Sequence, residues 1–107
     1  MLDYQNYYRE FTAIAKENNW QPLHSPRNLA AAVLQEAAEL NREFQWQSDA
    51  QSRALGPEAK ARVAGELADV ALYLFALCEA LGLDLDAAIE AKQAEVRARL
   101  VCKSPGN

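Results

Sequence analysis

The stretch Glu66-Leu67-Ala68-Asp69-Val70-Ala71-Leu72-Tyr73-Leu74-Phe75-Ala76-Leu77-Cys78-Glu79-Ala80-Leu81-Gly82 decides the fold. From Val70 to Leu81 it is apolar nearly all round, interrupted only by Tyr73 and Glu79. It lacks the strict alternation of a half-buried strand and is too long for a short core strand, so it reads as a helix covered on several sides. Gly82 is its natural C-terminal stop. Upstream, Gly56-Pro57-Glu58 is a start signal, with proline at the first turn and an acid near the positive dipole end.

The same signals organise the rest of the chain. Ser25 before Pro26 caps a preceding helix with the stripe Leu29, Val33, Leu40, Phe44. Tyr4, Tyr7, Tyr8, Phe11, Ile14 and Ala15 give a first helix over residues 3–19. Asp84 caps a last one, with Leu85, Ile89, Val96 and Leu100 as its inner face. Residues 47–55 are polar and predict a loop, and Lys103 to Asn107 a frayed tail. No strand pattern or internal repeat is present. The fold class is therefore all-α: residues 1–107 form a single-domain four-helix bundle. A lone bundle of this size covers its apolar third helix poorly, so the fold is expected to be completed by homo-oligomerisation.

The 107 residues suffice for one domain. A formal net charge of -4 argues against a nucleic acid polymer as partner, which needs a basic face. No apolar run is long enough for a bilayer, and the N-terminus lacks a signal-peptide pattern, so no membrane association is expected. Cys78 and Cys102 read as reduced thiols of a cytoplasmic protein.

The anomaly lies in certain acids. Glu36 occupies a slot that the stripe of the second helix assigns to the interior, and Glu39 follows one turn on. Glu66 and Asp69 repeat that spacing immediately before the apolar run, and Asp69, flanked by Leu67, Ala68, Val70 and Ala71, reads as the most enclosed of the four. Charge beside an apolar stripe needs compensation. Arg42 lies one turn from Glu39 and Arg62 one turn from Glu66, whereas Glu36 and Asp69 have no such neighbour. A hard, oxygen-seeking cation, Mg²⁺ with Mn²⁺ as substitute, would supply the missing charge. One such acidic pair alone would more often be simply solvated; two beside core stripes favour the metal. A di-iron bundle would need Glu-x-x-His pairs, and the sole histidine, His24, is preceded three positions earlier by Gln21.

The segments Trp20-Gln21-Pro22-Leu23-His24-Ser25-Pro26-Arg27-Asn28, Glu36-Ala37-Ala38-Glu39-Leu40 with Phe44-Gln45-Trp46, Glu66-Leu67-Ala68-Asp69, and Gly82-Leu83-Asp84-Leu85 followed by Lys92 resemble the MazG-like all-α NTP pyrophosphatases, and most nearly their dCTP pyrophosphatase branch. The chain departs from that pattern at Val96, Leu100 and Val101, where the family carries asparagine and then a Tyr-Pro pair. The resemblance implies that Glu36, Glu39, Glu66 and Asp69 coordinate Mg²⁺, with Glu36 or Glu39 orienting the attacking water. It implies a nucleoside triphosphate substrate cleaved to monophosphate and pyrophosphate, and a homotetramer built as a dimer of dimers.

It also turns Lys92, otherwise a snorkelling surface lysine, into a phosphate contact, and His24 into a substrate contact. Arg27 and Asn28, at a helix start that favours anions, are either phosphate contacts or ordinary exposed residues. Trp20, Trp46 and Tyr73 are either a stacking surface for the base or core aromatics; helix-end positions tilt the two tryptophans toward the base, and for Tyr73 the readings stand level. Two rivals remain open: the same fold acting on dUTP or phosphoribosyl-ATP, and a non-catalytic helical oligomerisation module.

Overall fold

Asp3 opens the first helix by accepting a hydrogen bond from the Asn6 backbone N–H at 3.1 Å. In the computed structural model, which describes residues 2–103, that helix is α1, Tyr4–Glu17. It ends where Asn19 takes a left-handed conformation, φ 58°, which asparagine tolerates better than most residues. A 3-10 turn, Gln21–Leu23, leads into α2, Pro26–Arg42, capped as expected by Ser25 Oγ on the Asn28 N–H at 3.2 Å. The long apolar helix is α4, Pro57–Leu81, closed by Gly82 at φ 65° with Leu83 N–H reaching the Cys78 carbonyl at 2.8 Å. Asp84 Oδ1 accepts from Ala87 N–H at 3.2 Å and starts α5, Leu85–Lys103. No strand occurs among the described residues, and no helix among them is long and apolar enough to cross a membrane.

Residues 47–55 are not the plain loop that their polarity predicts. They contain a short helix, α3, Asp49–Arg53. Ser48 Oγ accepts from Gln51 N–H at 3.1 Å while Gln51 Oε1 accepts from Ser48 N–H at 2.9 Å, a reciprocal capping box. Five residues bury no stripe, so hydrophobic periodicity cannot reveal such a helix.

The packed body consists of α1, α2 and α4, with α4 lying against both others and most extensively against α2. Ala15, Leu29 and Ala76, one from each helix, are buried at their junction. Phe75 of α4 takes Tyr4 at 4.7 Å and Tyr7 at 6.4 Å between ring centroids, which fixes α1 along it. Cover comes from two sides only, and Leu67, Leu74 and Leu81 of α4 are exposed.

The last helix departs from the expected arrangement. Instead of presenting an inner face to the bundle, α5 leaves Ile89, Val96 and Leu100 exposed and meets the rest of the chain near its start, where Tyr4 lies against Asp86. The radius of gyration is 17.5 Å, against about 13 Å for a compact chain of this length. Of the two cysteines, Cys78 is a half-buried free thiol; the Cys102 side chain and the tail beyond Lys103 lie outside the described residues.

Candidate active site

Because α2 and α4 pack side by side, their acidic residues meet. Glu36 and Glu39 share one face of α2, and Glu66 faces them from α4. One carboxylate oxygen from each of the three lies within 4.8 Å of the others. Glu39 sits between the other two, in hydrogen-bonding approach to both. Glu36 Oε2 and Glu66 Oε2 are buried without any hydrogen-bond partner.

Such crowding opposes ionisation. Burial foremost, then the approach and charge of Glu39 and the charges of Asp69 and Glu66, raise Glu36 above the ordinary carboxylate range. Glu66 is raised by burial first, then by the charges of Glu39, Asp69 and Glu43. No ion pair among the described residues offsets this at Glu36, Glu39 or Glu66. Arg62, one turn from Glu66, gives its Nε to Glu43 Oε1 instead, at 3.1 Å. A convergent all-carboxylate donor set with orphaned buried oxygens fits a hard divalent cation, which would pair those oxygens and remove the repulsion. Mg²⁺ and Mn²⁺ both satisfy that donor chemistry.

Asp69 corrects one expectation. It is exposed rather than enclosed, and its carboxylate is not among the three that converge. Apolar sequence neighbours on a helix point to other faces and do not shield the residue between them. Asp69 still stands close enough for its charge to bear on Glu36, Glu66 and Tyr73.

Tyr73 connects the acids to an aromatic group. Its hydroxyl is raised by burial, then by Glu36 and Asp69. Its ring meets Phe11 edge-on at 5.4 Å, and Phe11 stacks on His24 at 5.4 Å. His24 also lines a cavity of about 180 Å³ with Tyr8, Phe11 and Leu29.

The remaining sequence candidates are not drawn to the acids within one chain. Lys92 lies on α5 and pairs with Glu95 of its own helix at 3.2 Å. Arg27 and Asn28 are exposed at the start of α2, about 12 Å or more along the helix axis from Glu36. Trp20 is exposed, Trp46 is 89 % exposed, and neither joins an aromatic pair among the described residues.

Sequence reading passed over Glu43, whose charge bears on Glu66, and Gln47, which is tied to it. Glu43, the C-cap of α2, follows Glu39 by one turn, a spacing legible in the sequence. Gln47 gives its Nε2 to the Glu43 carbonyl at 3.3 Å and leaves its buried Oε1 without a partner. No periodic signal marks Gln47, because it lies in the turn after α2.

Known proteins are similar to this chain in sequence and in fold. A dCTP pyrophosphatase 1 of Rattus norvegicus is 38% identical over 99 residues, 91% of this chain and 56% of that protein. The Homo sapiens protein of the same name is 37% identical over 92 residues, 84% of this chain and 52% of its own length. The chain thus spans just over half the length of these relatives. A crystal structure of a pyrophosphatase from Archaeoglobus fulgidus superposes with a TM-score of 0.77 at 30% identity, covering 89% of this chain and 86% of that one. The MazG-like family profile matches residues 32–100, a span that contains all four acids, the whole of α4 and most of α2. The chain belongs to the MazG-like family.

Proposed function

We propose that the protein is a Mg²⁺-dependent nucleoside triphosphate pyrophosphohydrolase, converting a (d)NTP and water to (d)NMP and pyrophosphate, with dCTP or a modified dCTP as substrate. One observation carries the reading: three carboxylates converge across α2 and α4 with two buried oxygens unpaired. The names of the relatives support the reaction and the base.

Glu36, Glu39 and Glu66 would hold the ion, with Asp69 beside them completing the set. When bound, Mg²⁺ supplies positive charge against the triphosphate and a bound water of lowered pKa. Glu36 or Glu39 orients the attacking water through its free oxygen, and the helices keep that geometry fixed so that little reorganisation is needed. Tyr73 and His24 stand on the aromatic side of the acids and would face the nucleoside, with Trp20 and Trp46 available to stack on the base. Arg27, Asn28 and Lys92 would meet phosphates. In a single chain those residues lie apart, and α5 has an uncovered apolar face. Both features support association with further copies of the chain, for which the reading is a homotetramer, a dimer of dimers; a cytoplasmic location belongs to the same proposal.

The test is direct. The protein is incubated with Mg²⁺ and, separately, dCTP, 5-modified dCTP, dUTP and phosphoribosyl-ATP, and monophosphate and pyrophosphate are quantified. Preferred turnover of dCTP or its modified forms is expected. Preference for dUTP or phosphoribosyl-ATP overturns the base assignment, and no turnover of any nucleotide leaves a non-catalytic helical module. Sedimentation at micromolar concentration tests the tetramer.

A further inference from the structure

The ion pair between Glu43 and Arg62 is the only one among the described residues that joins separate parts of the fold, the C-cap of α2 and α4; the others lie within α5. Arg62 precedes Glu66 by four residues on α4, the spacing at which a helix pairs opposite charges along itself. The guanidinium nevertheless crosses to the C-cap of α2, and Glu66 Oε2 stays unpartnered. Only Nε is engaged among the described hydrogen bonds, and the side chain is 60% exposed. Its other donors are thus free at the rim of the acidic face, about 6 Å along the α4 axis from Glu66.

An exposed pair of this kind is weak, whereas a guanidinium presents a planar fork of donors that matches phosphate oxygens. Glu43 therefore holds Arg62 in place without committing it.

We propose that Arg62 is a substrate-binding residue that exchanges Glu43 for phosphate oxygens of a polyphosphate held at Glu36, Glu39 and Glu66. The inference rests on the pyrophosphohydrolase reading for its biological substrate, but its ligand chemistry is that of any metal-bound polyphosphate. Glu43 is the resting partner of the arginine, which the incoming phosphate oxygens displace.

Calorimetric titration of inorganic tripolyphosphate in the presence of Mg²⁺ tests this on the wild type, Arg62→Gln, Arg62→Lys and Glu43→Gln, with helical spectra as folding controls. The expected result is binding about tenfold weaker in Arg62→Gln and partly restored in Arg62→Lys, since charge remains but the fork is lost. Glu43→Gln should bind as tightly as wild type or more so, because it releases the arginine. A merely structural tie would weaken Arg62→Gln and Glu43→Gln alike, and that outcome overturns the proposal. Wild-type affinity in Arg62→Gln, or no tripolyphosphate binding by the wild type, overturns it too. If Arg62→Gln fails to fold, weakening in Arg62→Lys beside unweakened Glu43→Gln decides in its favour, and the reverse decides against. Arg62-dependent binding without nucleotide turnover would sink the enzymatic reading while leaving this one standing.

Discussion

Replacing Glu36 with Gln should stabilise the metal-free protein and at the same time abolish its response to Mg²⁺. The substitution keeps the shape of the side chain and removes one of three mutually repelling charges. At the observed 4.8 Å limit, one such pair repels by about 0.9 kcal/mol in water and about 3.5 kcal/mol at the effective dielectric near a protein surface. Glu36 is only partly buried, so screening pulls the gain toward the lower figure, about 1 kcal/mol. The new amide also donates toward Glu39, where a repelling oxygen stood. About 1 kcal/mol raises the melting temperature of a domain this size by roughly 4–8 °C. Thermal melts in EDTA and in Mg²⁺ measure both effects. The wild type should melt lower in EDTA and gain strongly on adding Mg²⁺; the variant should melt higher in EDTA and gain little. A variant that melts below wild type in EDTA, or keeps the full Mg²⁺ response, would refute the picture of crowded, cation-seeking carboxylates.

Other outcomes follow from the same geometry. Glu36 and Glu66 have raised folded pKa values, so the folded state binds their protons more tightly than the unfolded chain does. That stabilising contribution is complete below the ordinary carboxylate pKa and is lost as pH rises through the raised folded values. Melts of the metal-free protein should therefore show a relative gain as pH falls through that window, while calorimetric Mg²⁺ affinity declines over it because ligands must be deprotonated. Leu29→Ala removes the largest fully buried side chain among the described residues, at the junction of α1, α2 and α4. It should cost about 2–5 kcal/mol in urea unfolding, and a loss below 1 kcal/mol would show that the junction is not the core.

The legible parts of the fold are those fixed by short-range chemistry. Ser25-Pro26, Gly56-Pro57, Gly82 and Asp84 mark the helix starts and stops that the structure shows, because capping and left-handed closure depend on a few adjacent residues. The α3 helix escaped because its only signal is the Ser48–Gln51 capping box. Glu36 is legible as an acid in an apolar slot and Glu39 as its neighbour one turn on, whereas Glu66 is marked by its spacing to Asp69 and by the family resemblance. Asp69 was misjudged because the composition of its neighbours says nothing of the face they cover. The partner of Arg62 depends on a rotamer choice across two helices, which no single-helix spacing encodes. The stripe Ile89, Val96 and Leu100 marks an apolar face on α5, and periodicity does not say what covers it.

The central claim is that Glu36, Glu39 and Glu66 form a divalent-metal site serving pyrophosphohydrolysis. It is tested most directly by following dCTP cleavage at increasing Mg²⁺ in wild type and Glu39→Gln, the acid between the other two. The account predicts equimolar dCMP and pyrophosphate from the wild type, none in EDTA, and loss of Mg²⁺-dependent turnover in Glu39→Gln with its helical spectrum intact. Full activity of Glu39→Gln, turnover undiminished in EDTA, or release of dCDP and orthophosphate would contradict it.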